Sequence, residues 1–130
     1  MGLLIVTNNP EVAETLRDRG FKLVFLDGPA QASLRYARDK VVEGWRLAAD
    51  PLAGYKRRFN PYHTVFLSDD DGGDISYDVL RLEKAALHLD SSDRPTAEDT
   101  PRIHMDYRTL DLSLASNTLD HLGQYYHKNN

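Results

Sequence analysis

The run Leu3-Leu4-Ile5-Val6 is apolar at every position and gives way within three residues to a helix start at Asn9-Pro10-Glu11. A strand with no polar face must be covered on both sides. Asn9 suits the N-cap, and Pro10 suits the first helical position, where a missing N–H costs nothing. A strand that hands directly to a helix predicts an α/β domain. It also places Thr7, Asn8 and Asn9 beyond a strand's C-terminal end, where open sheets tend to hold ligands.

The rest of the chain repeats the alternation. Helix one is expected from Pro10 to about Arg19, with Val12, Ala13 and Leu16 inward and Gly20 as its stop. Strand two runs from Phe21 to Leu26 and ends at the turn Asp27-Gly28-Pro29. Helix two spans about Ala30 to Arg46, with Leu34, Ala37, Val41 and Trp45 at helical spacing. Trp45 is expected to be largely buried beneath the following connection, near Tyr55 or Phe59. Strand three is Thr64 to Leu67, and helix three is about Ser76 to Leu89. Right-handed crossovers through three such strands give the order 2-1-3. The expected fold is a three-layer α/β/α sandwich around a small, mostly parallel sheet, Rossmann-like or flavodoxin-like. In that arrangement the Thr7-Asn8-Asn9 turn faces Ser68-Asp69.

Residues 90–101 are polar and read as a surface loop. After them Ile103, Met105 and Tyr107 alternate as an edge strand would, while Leu112, Ala115, Leu119 and Leu122 fit a helix. A short strand followed by a helix is the favoured reading of residues 103–122. The tail from about 124 to 130 is expected to fray.

A chain of 130 residues suffices for one domain, taken here as 1–130, with a core of its own. With no cysteine it has no disulfide, thiol nucleophile or thiolate metal site. No window approaches the roughly 20 apolar residues of a membrane span, and a cytoplasmic location is the default expectation. A net charge of −4 disfavours nucleic acid as a partner for the surface as a whole.

The connection from Leu47 to His63 is longer than an ordinary link, and such loops are usually functional or disordered. Its prolines and aromatics predict order. It carries Tyr55-Lys56-Arg57-Arg58-Phe59, the one dense basic run, followed by Asn60-Pro61-Tyr62. The blocks Leu4-Ile5-Val6-Thr7-Asn8-Asn9-Pro10, Pro51-Leu52-Ala53-Gly54 with Asn60-Pro61-Tyr62, and Leu110-Asp111-Leu112-Ser113-Leu114 resemble the GrdX family. These are small proteins associated with glycine, sarcosine and betaine reductase systems of amino-acid-fermenting anaerobes. The resemblance spans nearly the whole chain and departs from the family pattern at Asp50 and at Arg58-Phe59. It implies an accessory member of such a system, with a protein partner there. It supplies no reaction, because the chemistry of those systems belongs to selenocysteine and thiol proteins.

Two groups of residues are candidates for binding. Thr7, Asn8, Asn9, Ser68 and Asp69 can hold a small polar or anionic ligand at the strand tips, with help from helix N–H groups. The plainer reading of the two asparagines is a helix cap and an Asx-turn. Lys56, Arg57, Arg58, Asn60 and Tyr62 can meet an anion, an acidic partner face or single-stranded RNA; the plainer reading is a solvated loop. Asp69-Asp70-Asp71-Gly72-Gly73-Asp74 reads as a solvated turn, since Leu80 stands where an EF-hand loop has its glutamate. Scattered histidines give no zinc spacing, and Ser68 lacks a nucleophile elbow. No catalytic residue, metal or cofactor is expected. The reading is an accessory or regulatory protein that binds a partner or small metabolite without catalysis. A small-molecule-binding domain or small enzyme with its site at the ends of strands one and three is the alternative, and an RNA-binding module using residues 55–59 comes third.

Overall fold

In the computed structural model, residues 2–51, 60–70, 72–91 and 101–126 are described. The elements in chain order are β1 (Leu3–Thr7), α1 (Pro10–Leu16), β2 (Lys22–Phe25), α2 (Ala30–Glu43), β3 (Arg46–Leu47), β4 (Thr64–Ser68), α3 (Ile75–Ser91) and α4 (Pro101–Leu122). A 3₁₀ turn, Arg17–Arg19, extends α1 to a left-handed Gly20. The class is α/β, as the strand-to-helix alternation predicts.

All five residues of β1 are buried because helices pack on both of its faces. Leu4 and Val6 point into a core built from Leu34, Ala37 and Val41 of α2 and Leu82 and Ala85 of α3. Leu3 and Ile5 point the other way, into a core with Val12 and Leu16 of α1 and Ala115 and Leu119 of α4. The period of two along the strand thus divides one apolar run between two cores. α2 ends at Glu43 and not at Arg46 because Gly44 takes φ 125, a conformation that L side chains rarely adopt.

The sheet order is β2-β1-β4-β3, and the sheet is mixed. β1 and β2 run parallel, as expected for a βαβ unit. β4 sits beside β1 as predicted for the third strand, but it runs antiparallel, pairing Thr7 with Thr64 and Leu3 with Ser68. This corrects the mostly parallel sheet. The reason lies in Arg46–Leu47, which form a two-residue strand on the far edge, antiparallel to β4. The chain leaving α2 climbs that edge, so the segment before β4 reaches the Thr7 end of the sheet and β4 descends from it.

The edge strand expected near residues 103–107 is also corrected. Those residues belong to α4, which is helical from Pro101. Its buried positions Asp111, Ala115, Leu119 and Leu122 recur at helical spacing, with an acid in the inward stripe where a leucine alternation masked it. α4 descends beside α1, since Asn9 reaches Asp111 at one end and Arg19 reaches Asp120 at 2.8 Å at the other.

Trp45 is half-buried and packs against the α2–α3 core. Its expected neighbours Tyr55 and Phe59 lie outside the described residues, as do residues 127–130 of the tail and 92–100 of the expected 90–101 loop, whose ends are helical in α3 and α4. Tyr126 packs against the core beneath α4. No helix among the described residues is long and apolar enough to cross a membrane.

Candidate functional site

The end of β1 carries a buried polar cluster. Thr7, Asn8, Asn9, Asn60, His63 and Asp111 are each at most 4% exposed. Such groups are tolerated inside a protein when hydrogen-bonded, and the side chains of Thr7, Asn8, Asn9, Asn60 and Asp111 find those bonds in four parts of the chain.

Asn8 uses its whole side chain. Its Nδ2 donates to the Gly28 carbonyl at 2.9 Å and to the Pro61 carbonyl at 2.8 Å, and its Oδ1 accepts the His63 N–H at 2.8 Å. It thereby joins the β1 tip to the turn before α2 and to the segment entering β4. Asn9 is equally occupied. Its Oδ1 accepts the Glu11 N–H at 3.0 Å, which is the helix cap. Its Nδ2 donates to the Arg108 carbonyl at 2.9 Å and to Asp111 Oδ2 at 3.0 Å, fixing α4 on α1.

A relay of hydroxyls completes the cluster. Thr64 Oγ1 donates to Asp111 Oδ2 at 2.9 Å. A threonine hydroxyl has one proton, so in the 2.9 Å contact between Thr7 and Thr64 it is Thr7 that donates. Thr7 Oγ1 also accepts the Asn9 N–H at 3.0 Å. The His63 ring is held below its ordinary pKa of 6.5 by burial, against opposing pulls from Asp111 and the Pro51 backbone. Beside the cluster, Pro51, Thr64, Asp111 and Leu114 line a cavity of about 20 Å³, room for roughly one water.

Asn60 and Tyr62 join this end of the sheet. Asn60 Nδ2 donates to the Tyr107 carbonyl at 3.1 Å, and its Oδ1 accepts the Tyr62 N–H at 2.9 Å in an Asx-turn. Arg108 Nη1 donates to the Tyr62 hydroxyl at 3.1 Å, and its guanidinium lies 5.6 Å over the ring. Glu11 is 4.0 Å from Arg108 Nε, and both side chains reach solvent. His104 stands edge-on to the same tyrosine, 6.1 Å between ring centroids. Pro51, at the other end of the basic connection, lines the cavity with Asp111, one turn along α4 from Tyr107. Both ends of the connection therefore meet the same stretch of α4. Lys56, Arg57 and Arg58 lie outside the described residues.

Ser68 and Asp69 are not brought to Asn8. The antiparallel course of β4 puts them at the opposite end of the sheet, beside Leu3, which corrects the expectation that the two turns face each other and that the ends of strands one and three form one site. Asp69 Oδ1 accepts the Gly2 N–H there at 2.7 Å. The neighbouring acids are occupied similarly: Asp70 accepts the Gly72 N–H at 3.0 Å, and Asp74 accepts those of Ser76 and Tyr77 at 2.9 and 3.4 Å.

Sequence reasoning missed Thr64, His63, Arg108 and, as a functional acid, Asp111. Asp111 had one signal, its place in the Leu110-Asp111-Leu112 block. The others had none, because their partners are main-chain atoms or side chains remote in sequence.

A family model described as GrdX-like protein matches residues 4–120. No curated protein matches the chain. No solved structure matches it either.

Proposed function

Since the chain belongs to the GrdX-like family, we propose that it is an accessory or regulatory protein of an amino-acid reductase system, acting in the cytoplasm by binding a partner without transforming it. The observation that carries this reading is the occupancy of Asn8. Its three hydrogen bonds all hold the protein's own chain: two tie the end of the connection, at Pro61 and His63, to the β1 tip, and the third holds the Gly28 turn. The tip residues hold the protein's own chain where other α/β domains hold a ligand. The connection held in this way carries the basic run Lys56, Arg57 and Arg58 in its sequence, and its described flanks Pro51 and Asn60 are buried against the fold.

The partner suited to that segment is an acidic protein face. Next to the buried flank Asn60, Arg108 and Tyr62 offer a solvent-reaching guanidinium and a phenol. Charge steering of this kind depends on salt. The experiment is retention of purified reductase components on the immobilised protein at low and moderate salt. The wild type should hold a component at low salt and release it as salt rises. Replacing Lys56, Arg57 and Arg58 by serine should abolish retention and leave the melting curve unchanged. A triple variant that retains the component as well as the wild type overturns the reading.

A further inference from the structure

A second surface, which among the described residues shares none with Tyr62 and Arg108, lies between the edge strand β2 and the C-terminal half of α2. It is a groove of about 470 Å³. Leu4 and Val24 form its apolar base; Lys22, Tyr36, Lys40 and Trp45 surround it. Trp45 immediately precedes β3 on one edge of the sheet, yet Lys22 of β2, on the opposite edge, stands 6.0 Å from its ring. Lys40 stands 5.4 Å from the Tyr36 ring.

The polar ends around this groove are largely uncommitted. Among the described residues no carboxylate pairs with Lys22, and neither the Tyr36 hydroxyl nor the Trp45 indole N–H donates to another residue. Lys40 has one weak counter-ion, Glu43 at 3.6 Å, whose side chain is 61% exposed. The groove thus gathers two ammonium groups and two aromatic donors on a chain whose net charge is −4.

We propose that this groove binds a small organic anion bearing a flat ring, of the size and charge of a nucleoside monophosphate. Its volume falls in the ordinary range of small-molecule sites. Lysines act as compact point charges suited to a phosphate, and the aromatic rings offer surface on which a base can stack. The ammonium groups that lie over the rings in the free protein turn to the phosphate when it arrives.

Trp45 is the only tryptophan in the chain, so its emission reports on the groove directly. The test titrates the full chain with AMP, GMP and UMP, using adenosine and inorganic phosphate as controls. A saturable change with at least one nucleotide is expected, with neither half-ligand matching it at equal concentration. Lys22→Gln and Lys40→Gln should each weaken binding by roughly tenfold or more, the effect of losing one charge-assisted hydrogen bond. Both lysines reach solvent, and melting curves verify that the variants fold. No saturation with any of the three nucleotides overturns the proposal. So does equal binding by the lysine variants, or phosphate alone binding as well as the nucleotide. The variants tested leave Lys56, Arg57 and Arg58 unchanged, and the readout is nucleotide binding and not partner retention, so failure here and failure of the partner reading are told apart.

Discussion

Asn9 donates a hydrogen bond to Asp111 across 102 residues of chain, at 3.0 Å and wholly out of solvent. The same Asp111 oxygen accepts the Thr64 hydroxyl at 2.9 Å. One carboxyl oxygen thus holds the α1 cap, the start of β4 and the middle of α4 together. Buried donors are costly to strand, at roughly 1–3 kcal/mol each.

Asp111→Ala strands two such donors and should lower stability by about 2–5 kcal/mol in urea unfolding. Asp111→Asn should cost distinctly less, because an amide oxygen can take the place of Oδ2 toward both Asn9 and Thr64. Equal losses for the two variants would show that these two bonds are not what Asp111 contributes.

His63 makes stability depend on pH. Its folded pKa lies below the ordinary 6.5 because burial penalises the charged ring, while Asp111 and the Pro51 backbone pull the other way. The unfolded chain therefore binds a proton more readily than the native one. The contribution of His63 is complete above the unfolded value and falls as the pH drops below it. The slope is at most about 1.4 kcal/mol per pH unit and levels off below the folded pKa. Unfolding midpoints measured from about pH 7.5 to 5 should decline for the wild type and decline less for His63→Gln. Identical slopes would remove His63 from the account.

The close of α4 is sterically tight. A Cβ on Gly123 would stand 2.8 Å from the Leu119 carbonyl oxygen and 3.7 Å from the Phe21 ring. Backbone must give way there, so Gly123→Ala should cost about 1–3 kcal/mol despite alanine's better helix propensity. A melting temperature equal to the wild type would show that the helix end adapts freely.

Much of this architecture was legible in the residues themselves. Leu3 to Val6 announced a strand buried on both faces, Asn9-Pro10 its helix cap, and Leu34, Ala37 and Val41 the inward stripe of α2. The direction of β4 was not legible, because it depends on Arg46–Leu47, a pairing too short to leave a periodic signal. The inward acid of α4 was hidden by the alternation Leu110, Leu112, Leu114, which mimics a strand. At the site, the two asparagines were legible as a turn and a cap. The use made of Asn8 was not, since its three partners are main-chain atoms of Gly28, Pro61 and His63. Main-chain acceptors carry no residue signature.

The central claim is that the asparagine pair clasps the protein's own chain. Urea unfolding of Asn8→Ala tests it most directly. That substitution strands the His63 N–H and two carbonyls, so a loss of about 2–5 kcal/mol is expected, comparable to or larger than that of Asn9→Ala. An Asn8→Ala protein as stable as the wild type would contradict the claim and return that side chain to the role of a ligand contact.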